Sequence, residues 1–84
     1  MFKLSIFDMY NDSWVYRSGV EAYDLLATLS KFNLKNYRWI QDYSEIFEIK
    51  YHLLDGKMCK YVVVIQSESD LNIDFNIVDT LLAS

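Results

Sequence analysis

His52 and Cys59 are the residues of this chain whose types best suit nucleophilic or metal chemistry. A cysteine nucleophile needs a base beside it and a third group to orient that base. A zinc site wants about four nitrogen or sulfur ligands. One histidine and one cysteine supply neither set. They are read as an exposed strand histidine and an apolar core cysteine. Asp8, Asp12 and Asp55 sit near turns, but Asp8-x-x-x-Asp12 lacks the ligand density and the glycine of a calcium loop. Turn capping accounts for them. Glu45 with Glu48, and Asp70 with Asp74, are close enough in sequence to act as acid and base. Such a pair needs a pocket that splits the two pKa values. A small sheet with one helical layer leaves little room for one. No catalytic residue, cofactor or metal is therefore assigned, and the expectation is a protein that is not an enzyme.

The aromatic residues offer a different kind of chemistry. Trp14, Tyr37, Trp39 and Tyr43, with Tyr10 and Tyr16, gather in turns and short outer strands. Rigid rings with polar tips are favoured anchors in protein interfaces. Filling a small core is the competing use, so one tryptophan is expected inside and the other partly exposed. Asn36-Tyr37-Arg38-Trp39, with Tyr16, Arg17 and Lys35, could also stack single-stranded nucleic acid.

Charge is distributed unevenly. Twelve acids face eight bases, a formal net charge of −4. Acids and bases balance through Lys60, beyond which stand Glu68, Asp70, Asp74 and Asp79 with no lysine or arginine. Such a segment repels phosphate and attracts basic surfaces. These four acids, with Trp14, Tyr37, Trp39 and Tyr43, form the expected partner-binding set.

The positioning elements follow from periodicity. Phe2, Leu4 and Ile6 alternate within a strand over 2–9, Asn11-Asp12-Ser13 is turn chemistry, and 14–17 completes a hairpin. Ser18 and Glu21 match a capping box, opening a helix at 19–32. There Ala22, Leu25, Leu26, Leu29 and Phe32 share one stripe, with Asp24, Thr28 and Lys31 opposite. Asn33 suits a left-handed stop. A short strand at 36–40 and a polar turn at 41–44 lead to a hairpin over 46–65 around Asp55-Gly56. A three-residue loop, Leu54-Asp55-Gly56, pairs Tyr51 with Cys59 and puts two apolar sets, Phe47, Ile49, Tyr51 and Leu53 in the first arm and Cys59, Tyr61, Val63 and Ile65 in the second, on one face. A two-residue Asp-Gly turn splits them, because a one-residue slip flips every side chain. The longer loop is expected. Val62 and Val64 add apolar side chains on the other face of that strand, which marks it as central and covered on both sides. Residues 71–77 alternate like a strand, yet Leu71, Phe75, Val78 and Leu82 recur at helical spacing. A short C-terminal helix within 70–83 is expected.

The result is an α+β fold in one domain over residues 1–84: an antiparallel sheet of four or five strands, in ββα-βββ-α order, against one main helix. The helix–three strands–helix order of 19–83 is similar to the double-stranded RNA-binding domain. That resemblance implies a basic cluster at the start of the last helix, where this chain has Glu68, Asp70 and Asp74. The departure removes the phosphate clamp, so direct nucleic-acid binding is not expected.

A lone cysteine fits a reducing compartment. MFKLSIFDMY lacks the apolar run of a signal peptide, and no stretch reaches the ~18 apolar residues of a membrane span. A cytoplasmic protein is expected. The functional expectation is a small acidic protein-binding module. It would be an inhibitor, of the anti-defence (anti-CRISPR-like), phage-encoded or immunity-protein kind, that blocks a basic nucleic-acid-handling surface. A homodimer or larger homo-oligomer joined through a sheet edge, or a weak single-strand binder, is the alternative.

Overall fold

The computed structural model describes residues 1–67. Five strands alternate with short helical pieces: β1 (Phe2–Asp8), β2 (Ser13–Val20), α1 (Leu25–Ser30), β3 (Arg38–Ser44), β4 (Glu48–Asp55) and β5 (Met58–Ser67). Single 3-10 turns at Ala22–Asp24 and Leu34–Asn36 flank α1. The strands form one antiparallel sheet in the order β2-β1-β5-β4-β3. The fold is α+β, an antiparallel sheet with one main helix. The expected C-terminal helix within 70–83 lies outside the described residues.

β5 runs through the middle of the sheet, which explains its unbroken Val62-Val63-Val64-Ile65 run. Val63 and Ile65 are buried on the helix side. There they join Leu4 and Ile6 of β1, Ile49, Tyr51 and Leu53 of β4, Val20, and Leu25, Leu29 and Leu34 in one core cluster. Strand alternation and helical spacing converge on this single face.

The helix begins later than capping chemistry suggests. Ser18 and Gly19 belong to β2, opposite Leu4 and Lys3, and Val20 is buried opposite Phe2. Ladder bonds and burial of Val20 outweigh a capping box, worth about 1 kcal/mol. The helical region therefore opens at Ala22 with no side-chain cap. Thr28 is buried rather than outward, and Ala22 is exposed. Asn33 takes the left-handed conformation as expected, with φ 54°.

Two further expectations need correction. The segment 41–44 is the second half of β3, not a turn; Asp42 is the extra residue of a bulge there. In the β4–β5 hairpin Asp55 pairs with Met58 around Gly56-Lys57, and Tyr51 faces Val63 rather than Cys59. Gly56 alone has positive φ in this turn, 64°, the pattern of a turn with glycine at its first central position. A bulge makes Lys60 the extra residue between Cys59 and Tyr61. That one-residue slip, and not a longer loop, brings Ile49, Tyr51 and Leu53 to one face with Tyr61, Val63 and Ile65, while Cys59 falls opposite Leu54 and Phe47 stays exposed before the strand.

Candidate protein-binding surface

Helix α1 and its flanking turns cover one face of the sheet. The other carries Phe7 of β1, Trp14 and Arg17 of β2, Val62 and Val64 of β5, Lys50 and His52 of β4, and Tyr43 of β3, as the registers require.

Trp14 is 52% exposed. Its ring meets Phe7 edge-on at 5.0 Å between centroids, and the Arg17 guanidinium lies 4.4 Å from its centre. Met9, Tyr10 and Val15 are exposed on the same hairpin. Asp8 shapes the connecting turn. Its Oδ1 accepts from the amides of Tyr10 (2.9 Å) and Asn11 (3.2 Å), and its Oδ2 from the Asn11 side chain (2.8 Å). Burial by itself would raise the Asp8 pKa. The Lys60 ammonium and the Asn11 and Tyr10 donors outweigh it and hold the carboxyl at about 2. Lys60 is pushed up, first by its bond to Asp8.

The other three rings of the expected set lie elsewhere. Trp39 is half-buried on the helix side; its Nε1 donates to the Leu34 carbonyl at 2.9 Å and its ring meets Tyr51 edge-on. Tyr37, also half-buried, packs edge-on against Tyr61. Tyr43 lies on the helix-free face, on the edge strand opposite the one that carries Trp14. Its hydroxyl donates to Glu48, and that bond, with burial and the nearby carboxylates, raises its pKa to about 12. Trp14 and Tyr43 thus share a face at opposite edges, while Tyr37 and Trp39 serve the interior. Glu68, Asp70, Asp74 and Asp79 lie outside the described residues.

Sequence reasoning passed over two features. Met9 and Val15 are exposed beside Trp14, and a polar network crosses the helix-free face. Gln66 Nε2 donates to Glu48 at 2.6 Å, and Asp42 lies 3.6 Å from Lys50 Nζ and 3.4 Å from His52 Nε2. The alternation Glu48-Lys50-His52 carried part of this signal. Asp42 was illegible because a bulge redirects it.

His52 is opposite Val62 and Cys59 opposite Leu54, so the two are not direct cross-strand partners. Both are half-buried, and Cys59 lies outside the core cluster it was expected to join, because the bulge at Lys60 shifts it out of the Tyr61-Val63-Ile65 row. The Cys59 thiol donates to the Tyr61 carbonyl at 3.3 Å. No group of three or more His, Cys, Asp or Glu among the described residues is placed to hold a metal. Two open hollows of about 320 and 340 Å³ flank Met1. Neither is lined by His or Cys; one adjoins Lys3 and Gln66, the other Glu21, Asp24 and Lys31. No helix among the described residues is long and apolar enough to cross a membrane, which says nothing of β-barrels. No family model, curated protein or solved structure matches the chain.

Proposed function

We propose that this chain is a small, non-enzymatic protein-binding module that inhibits its target by occupying a basic, nucleic-acid-handling surface, in the manner of phage anti-defence and bacterial immunity proteins. The observation that carries the reading is Trp14: a large ring more than half exposed, yet in contact with both Phe7 and Arg17. A pre-ordered aromatic side chain loses little entropy on binding and is the commonest kind of interface anchor. Met9, Tyr10 and Val15 enlarge the exposed apolar surface around it. The carboxylates Glu68, Asp70, Asp74 and Asp79 supply the formal charge excess that steers a basic partner. The alternative, a homo-oligomer joined edge to edge, is less favoured. Both edge strands carry a bulge, at Val15 in β2 and Asp42 in β3, and bulged edges resist strand pairing.

The test is affinity capture from the native host with the full chain, followed by binding kinetics on the captured protein. Trp14→Ala is expected to weaken binding by about 2 kcal/mol or more, seen mainly as faster dissociation. Asp70→Lys with Asp74→Lys is expected to slow association, more so at low salt. Unchanged kinetics in both variants would refute the reading.

A further inference from the structure

The helix-free face carries apolar side chains in its centre. Val62 and Val64 of β5 and Phe7 of β1 are half-buried there, with Val62 directly opposite Phe7 on one side and His52 on the other. Around them stand the cations Lys3, Arg17 and Lys50, against the carboxylates of Asp42 and Glu48. We propose that this face is the docking surface for residues 68–84 of the same chain, which meet it through Leu71, Phe75, Val78 and Leu82.

Three observations select this occupant. The first is position. The described residues end at Ser67, in the central strand, and the face with α1 is already covered. The second is length. The four apolar residues recur at i, i+4, i+7 and i+11, and a twelve-residue run at helical rise spans about 17 Å. Five strands about 4.8 Å apart span about 19 Å from edge to edge. The third is charge. The segment has four carboxylates and no lysine or arginine, and the face has more permanent cations than carboxylates.

This inference goes beyond the proposed function: docking is read from contacts of the four apolar residues, while the carboxylates of the segment and the Trp14 edge of the same face figure in both readings. The test is nuclear Overhauser contacts in the isotope-labelled full-length chain, repeated with labelled and unlabelled chains mixed. Contacts from Phe75 and Val78 to the methyls of Val62 and Val64, absent between chains in the mixed sample, are expected. Contacts only between chains would assign the face to a second copy and overturn the proposal. So would contacts of 71–82 with the α1 side, or no contact at all. Capture of a partner, or its failure, bears on the previous proposal alone.

Discussion

Lys60 Nζ lies 3.0 Å from both carboxylate oxygens of Asp8, a pair formed across fifty-two residues of sequence. The same ammonium sits 4.6 Å from the Tyr10 ring centre and 4.9 Å from that of Tyr61. It therefore ties the end of β1, and the turn that follows, to the middle of the sheet. The bulge in β5 makes the contact possible by adding Lys60 as an extra residue beside Tyr61.

This pair should set the acid limit of the fold. The folded pKa of Asp8, about 2, lies below the ~3.9 of an unfolded aspartate. Its contribution to stability is fully present above the unfolded value and lost as pH falls through the folded one. Urea midpoints measured from pH 5 to pH 2 should fall steeply in the wild type. In Asp8→Asn the midpoint should start lower at pH 5 and fall less between pH 4 and pH 2. Parallel curves for the two proteins would show that the pair does not control acid stability.

Tyr43 should show the opposite limit. Its folded pKa, about 12, lies above the ordinary 10.0, because the protonated hydroxyl donates to Glu48. A raised pKa contributes stability below the unfolded value and loses it as pH rises through the folded one. Tyr43→Phe should lower the urea midpoint at pH 8 and flatten its decline between pH 10 and pH 12. A midpoint equal to that of the wild type at pH 8 would remove the bond from the stability account.

The two glycines should respond differently to alanine. At Gly56 nothing lies within 4 Å of an added Cβ, but φ is +64°, so the cost is backbone strain of about 1 kcal/mol. At Gly19 the new Cβ would lie 2.7 Å from the Met1 sulfur, the far end of a flexible side chain that can turn away. Gly19→Ala should therefore be close to neutral, or slightly stabilising, since alanine restricts the unfolded chain. Thermal melts of the two variants decide it: equal losses would contradict the assignment.

The tryptophans should separate in the same way. Trp14→Ala removes one ring contact and one exposed cation–π contact, a loss of about 1–2 kcal/mol. Trp39→Ala opens space against Tyr51 and removes one of the two donors to the Leu34 carbonyl, which keeps only the Tyr37 amide. That combination should cost about 3–5 kcal/mol. Urea titrations would show the order, and a larger loss at Trp14 would mean that the β1–β2 hairpin carries more of the fold than its exposure implies.

Alternation of side chains by itself determined which residues of β1, β4 and β5 face the core, because period two is local to each strand. Phe2-Leu4-Ile6, Ile49-Tyr51-Leu53 and Tyr61-Val63-Ile65 need no knowledge of their neighbours. The left-handed stop at Asn33 was likewise legible, since it depends on one residue's own conformational freedom. Only the tertiary structure decided the strand order, the bulge at Lys60 and the late start of the helix. Each is a competition between local preference and distant burial: Val20 opposite Phe2 defeats the Ser18 cap, and Tyr61 opposite Leu53 sets a register that the Asp55-Gly56 turn does not specify. The exposure of Trp14 was equally unreadable, because a ring's burial depends on whether another layer lies above it, and in the described residues α1 covers the other face.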